Sequence, residues 1–196
     1  MIVFFIVTFC IITALGFGAA AAWSDFNSLK IPNIYSILIG TAFVIAFVAM
    51  FFFSSEVSLF GSWKNHFLSG LIMFLITLAL FYFNKIGGGD AKLISVISLW
   101  VGTAGLMPFL FMMAITGGLL GGITLYLNKS SSVKSDNDKE NIKLPHQSLW
   151  IKQAKEGARD VPYGIAIFVG ALFSFWHSGF IQPERIMTLA QEMMGS

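Results

Sequence analysis

The chain is poor in charge. Of its 196 residues, twelve are Lys or Arg and ten are Asp or Glu, 11% together, against about 25% in a typical soluble domain. So few charges cannot cover a soluble globule of this length, which excludes a soluble enzyme, a disordered chain and a nucleic-acid binder. Cysteine is nearly absent. Cys10 stands alone, so neither an internal disulfide framework nor a cysteine metal cluster can form. His66, His146 and His177 are scattered, and no His-Glu-x-x-His pair occurs, so no metal site is expected. What fills the chain is apolar: 56% hydrophobic residues, 21 Phe and 19 Gly, with a mean hydropathy of +0.78. Glycine is more frequent in membrane helices than in soluble ones, so its abundance points the same way.

A helix crossing the hydrocarbon core needs roughly 20 apolar residues. Ile2–Ala22, Ile34–Phe53, Phe67–Phe83 and Val161–Gln182 are such runs, with Pro162 at the start of the last, where a missing N–H costs little. Leu93–Leu127 is apolar over 35 residues. As one helix it would reach about 52 Å, too long for a core of about 30 Å. Gly102-Thr103-Ala104-Gly105 is the natural break, giving a short span Leu93–Val101, extended back toward Asp90, and a full one Leu106–Leu127. The expectation is therefore an all-α, polytopic membrane protein with six transmembrane helices, one membrane-embedded domain over 1–196.

Lys and Arg are retained on the cytoplasmic side. With the N-terminus outside, the inner loops hold Lys30, Lys85, Lys92, Lys129, Lys134, Lys139, Lys143, Lys152, Lys155 and Arg159, leaving Lys64 and Arg185 outside. That distribution predicts N-out and C-out. A secretory signal peptide over the first run, with Ala19–Ala22 as cleavage site, lacks the basic n-region such a signal needs, because the first charged side chain is Asp25. Residues 128–160 form the one long polar stretch, a cytoplasmic loop between spans five and six. Within it Leu149–Lys155 reads as a short interfacial helix with Trp150 at headgroup level, and the acids Asp136, Asp138, Glu140, Glu156 and Asp160 read as solvated.

Glu56, Glu184 and Glu192 fall in the outer loop and the tail, which leaves Asp25, just past span one, and Asp90, at the start of span four. Both belong to the cytoplasmic boundary. A carboxylate beside hydrocarbon is costly and is a functional candidate by default. Asp90 follows Gly87-Gly88-Gly89. Three glycines at a helix start carry an entropic cost and no packing value, so either another backbone approaches closely or the chain is irregular at the membrane edge. A phosphate loop is excluded because no Gly-Lys-Ser/Thr follows. After Asp25, Pro32 and Asn33 turn the chain into span two, and Lys30 reads as a topology and headgroup anchor. Two carboxylates held close share a proton. Such a pair supplies one general base and one general acid without metal or cofactor, which is the chemistry of an aspartic protease. The rival reading is a proton- or cation-coupled transporter using Asp25 and Asp90; transport sites lie near the midplane, whereas these residues lie at span ends. A non-catalytic assembly subunit would leave the triple glycine unexplained.

Gly87-Gly88-Gly89-Asp90-Ala91-Lys92-Leu93 resembles the Gly-x-Gly-Asp motif of type IV prepilin peptidases. Trp23-Ser24-Asp25 with Ile31-Pro32-Asn33 resembles that family's first aspartate motif, and Val161-Pro162-Tyr163-Gly164-Ile165-Ala166 its last-span motif. The resemblance implies catalysis on Asp25 and Asp90, supported by Gly87, Gly88, Gly89, Lys92, Lys30, Pro32 and Asn33. It implies prepilin or pseudopilin substrates losing a short basic leader at the cytoplasmic face of a bacterial inner membrane. The bilayer and the pilus assembly machinery are the implied partners, with no cofactor and no nucleic acid. Larger members carry paired cysteines near the N-terminus and also N-methylate the cleaved pilin. Here Trp23–Asn33 is short and cysteine-free, so the chain is similar to the short tight-adherence (Flp-type) branch and no methyltransferase activity is expected. Presenilin-type proteases share Gly-x-Gly-Asp but carry a late Pro-Ala-Leu that is absent here.

Overall fold

The computed structural model describes residues 2–53, 62–132, 149–155, 161–182, 184 and 187. It is all-helical: α1 Ile2–Ser28, α2 Asn33–Phe53, α3 Trp63–Tyr82, α4 Gly88–Ser132, α5 Leu149–Lys155 and α6 Tyr163–His177. The acids Glu56, Asp136, Asp138, Glu140, Glu156, Asp160 and Glu192, most of the 128–160 loop and most of the tail lie outside the described residues.

Helices are what these apolar runs must form, because lipid offers backbone N–H and C=O groups no partner. Among the described residues, four helices, α1 to α4, are long and apolar enough to cross a membrane. The α4 helix would be far too long as a straight rod, and it breaks at Gly102, where φ is 64° and ψ −177°. That backbone region is open essentially to glycine alone. The break falls at the first residue of the expected Gly102–Gly105 interruption, and both segments extend beyond their expected limits. The α6 helix is shorter than its apolar run. It stops at His177 because Gly179 takes φ 80°, and the Gly179 and Phe180 N–H groups close back on the Trp176 and Phe175 carbonyls at 3.1 and 2.9 Å. The Phe175 and Phe180 rings pack together at 5.5 Å, the apolar contact that accompanies such an end.

The α4 helix is the hub, touching α2, α3, α5 and α6, while α1 packs on α2, α5 and α6. Between membrane helices there is little water to expel, so association rests on close packing, small residues and interhelical hydrogen bonds. All three occur. Trp100 of α4 is fully buried, edge-on to Phe43 of α2 and Phe175 of α6, and its Nε1–H donates to the Ile39 carbonyl at 3.1 Å. Ser69 Oγ of α3 donates to the Ser98 carbonyl at 2.6 Å, and the Thr77 and Ser95 hydroxyls pair at 3.1 Å. Beyond the kink, Ser174 Oγ of α6 donates to the Gly105 carbonyl at 2.8 Å.

His66 is buried against the kink. Its Nδ1 lies 2.8 Å from the Leu99 carbonyl. A carbonyl only accepts, so that nitrogen carries the proton. The α5 helix forms over the expected residues, and its Trp150 indole is buried, tilted against Phe26 of α1 and donating to Thr124 Oγ1 of α4 at 3.1 Å. An indole with a protein acceptor for its N–H gains more inside the bundle than on its outer face.

Candidate active site

Asp25 was expected just past the first span. It lies inside α1, one turn before the end, because the helix runs on to Ser28. The helix closes where Leu29 takes φ 52° and its N–H bonds the Asp25 carbonyl at 2.8 Å. Ser24 Oγ then donates to the Lys30 carbonyl at 2.9 Å, which folds the chain over the helix end. Pro32 lacks an N–H, and its carbonyl accepts from Tyr35 at 3.2 Å as α2 begins. The four-residue turn 29–32 is thereby held beside Asp25.

Asp90 reaches the same place from the other direction. Asn84, at φ 53°, ends α3, with the Asn84 and Lys85 N–H groups closing onto the Phe81 and Leu80 carbonyls. Three residues later α4 starts. Asp90 is its third residue, and its carboxylate accepts from the Gly87 backbone, the reach-back geometry of a helix N-terminal acid. Gly88 and Gly89 are already helical, so the glycines serve close approach rather than an unwound edge. A side chain on Gly89 would meet Ile31 Cβ at 2.9 Å and its carbonyl oxygen at 3.0 Å. One on Gly87 would meet Asp90 Oδ2 at 2.9 Å. The glycines let the start of α4 press on both the α1–α2 turn and its own carboxylate.

The result is one cavity of about 490 Å³, lined by Asp25, Leu29, Lys30, Ile31, Pro32, Asn33, Gly87, Gly88, Gly89 and Asp90. Every site residue expected from the sequence lines it except Lys92. Lys92 stands just outside and donates from Nζ to Asn33 Oδ1 at 2.9 Å, tying the first turns of α4 and α2. Asp25 and Asp90 face the same cavity. Their surroundings differ. Asp25 is only 6% exposed, and its Oδ2 accepts the Gly164 N–H of α6 at 2.7 Å, at the helix end where the dipole favours a negative group. Asp90 Oδ1 is buried without a hydrogen-bond partner among the described residues. Among the described residues, no three His, Cys, Asp or Glu side chains converge as a metal ion would require.

The contact from Gly164 was not foreseen. The Val161–Ala166 motif marks its position, but a backbone donor 139 residues from its acceptor leaves no trace in side-chain pattern.

Compared with curated proteins and with solved structures, the chain has no match. The model of the type IV leader peptidase family matches residues 12–122, a stretch that holds both aspartates, the α1–α2 turn and the glycines. With more than half of its residues inside that match, the chain belongs to the type IV leader peptidase family.

Proposed function

We propose that this leader peptidase is an aspartic endopeptidase whose catalytic pair is Asp25 and Asp90. One observation carries the reading: two carboxylates from distant parts of the chain share one cavity at helix ends, beside glycine-rich backbone. The extended leader junction lies against the 29–32 turn and Gly87–Gly89. One carboxylate takes a proton from a water, whose oxygen attacks the scissile carbonyl carbon. The other, protonated, gives its proton to the carbonyl oxygen. Collapse of the tetrahedral intermediate breaks the C–N bond: the leaving nitrogen takes the proton that the first carboxylate had gained from water, and the second carboxylate takes back a hydroxyl proton of the intermediate, which leaves a carboxylic acid product and a dyad with its single proton. Lys30, Pro32, Asn33 and Lys92 shape and tie the cavity and carry no proton. Family membership favours this peptidase over a transporter, and so does the position of both aspartates near helix ends.

The six apolar runs become six crossings of a bacterial inner membrane, N-out and C-out, in a single domain over 1–196 whose 128–160 loop lies in the cytoplasm with the active site. The substrates are Flp-like prepilins or pseudopilins, which lose a short basic leader. The cysteine-free Trp23–Asn33 segment supports the short branch without N-methyltransferase activity. The test is processing of a co-expressed prepilin by Asp25→Asn and Asp90→Asn. Each should slow cleavage by about 10²–10⁴-fold, the range for loss of a positioned acid or base. Wild-type processing by either variant refutes the pair.

A further inference from the structure

We infer that Gly164 is a positioning residue for this reaction, its N–H and its bare Cα together holding Asp25 in register with Asp90. The inference rests on the reading of the two aspartates as the catalytic pair. Their helices, α1 and α4, do not pack on each other; α2, α5 and α6 each pack on both, and it is α6 whose backbone donates to the carboxylate of Asp25. On one side α6 is locked to the distal segment of α4. Ser174 Oγ donates to the Gly105 carbonyl at 2.8 Å, and Gly170 sits so close that a Cβ would fall 2.7 Å from the Phe109 carbonyl oxygen. On the other side its first turn meets Asp25. The Gly164 N–H reaches Oδ2 at 2.7 Å, and a Cβ there would fall 2.9 Å from Asp25 Cβ and 3.1 Å from Oδ2. Pro162, fully buried at the cap of α6, fixes where that turn begins. The helix is thus a strut that transmits the position of α4 to the carboxylate of α1, and only glycine lets its backbone lie on the side chain it holds.

Gly164→Ala should lower kcat about 10- to 100-fold with KM within about twofold, because a displacement of an ångström in a catalytic group costs turnover rather than binding. Ser69→Ala is the comparison, because it removes an α3–α4 hydrogen bond that touches neither α6 nor the cavity. It should lower thermal stability while kcat per folded molecule stays within about twofold. A Gly164→Ala kcat within about twofold of wild type overturns the proposal, as does an equal kcat loss in Ser69→Ala. Asp25→Asn is measured alongside: if it cleaves normally, the catalytic pair itself has failed, whatever Gly164→Ala does. A second measurement avoids variants at Gly164. Tyr163–Gly164 is the one Tyr–Gly pair in the chain, so ¹³C-carbonyl tyrosine with ¹⁵N-glycine labelling selects this amide in micelles. Its resonance should move in Asp25→Asn, and an unmoved resonance overturns the contact.

Discussion

Gly102→Ala puts the kink of α4 to a direct energetic test. Two costs arise from separate features. The backbone angles, φ 64° and ψ −177°, are strained for any residue with a Cβ, by about 1–3 kcal/mol. The added methyl would also lie 2.9 Å from His66 Cε1 and 3.1 Å from both ring nitrogens, an overpacking worth about 1–3 kcal/mol. The His66 ring cannot simply swing away, because it is buried and hydrogen-bonded to the Leu99 carbonyl. The sum, about 2–6 kcal/mol, should be measured by reversible SDS unfolding in mixed micelles. Trp100, packed on the same Phe43 ring as His66, serves as a fluorescence reporter. In a His66→Ala background the steric part disappears and about 1–3 kcal/mol of torsional cost remains. The reasoning is refuted if Gly102→Ala costs less than about 0.5 kcal/mol, or the same in both backgrounds. Cleavage should fall as well, since Asp90 lies before the kink and the contacts locking α6 to α4 lie after it.

Gly89→Ala should drive the start of α4 off the Ile31 backbone, lowering stability by about 1–3 kcal/mol and slowing prepilin cleavage in membranes. Gly118→Ala, whose Cβ meets open space, should be neutral or stabilising by up to about 1 kcal/mol. Ser69→Ala removes the α3–α4 bond to Ser98 and should cost about 0.6–2 kcal/mol in the same unfolding assay; a neutral result would mean that packing alone holds these helices. Lys92→Met breaks the exposed tie to Asn33 and should shift stability by less than about 1 kcal/mol. A larger loss would show that this clasp governs the α2–α4 junction.

The sequence was enough for everything that depends on solvation. Apolar runs of fixed length in a chain starved of charge can only become membrane helices, and the kink was legible because a 35-residue run cannot fit the bilayer. Asp25 and Asp90 stood out for the same reason, as carboxylates that no loop accounts for. The α1–α2 turn and the glycines were legible as motifs. Other features depended on which surfaces meet. The glycine triplet allowed either an unwound edge or close approach, and only the Ile31 backbone lying against Gly89 decided for the second. Hydropathy records how apolar a segment is, not which neighbouring helix offers an acceptor, so the burial of Trp150 on Thr124 and of His66 on the Leu99 carbonyl is decided by helix packing. Asp25 lies past the apolar run yet inside α1, because an apolar run ends before a helix must. The partner of its carboxylate was out of reach altogether. A backbone N–H is common to nearly all residues, so that of Gly164 acquires meaning only once α6 is docked between α1 and α4.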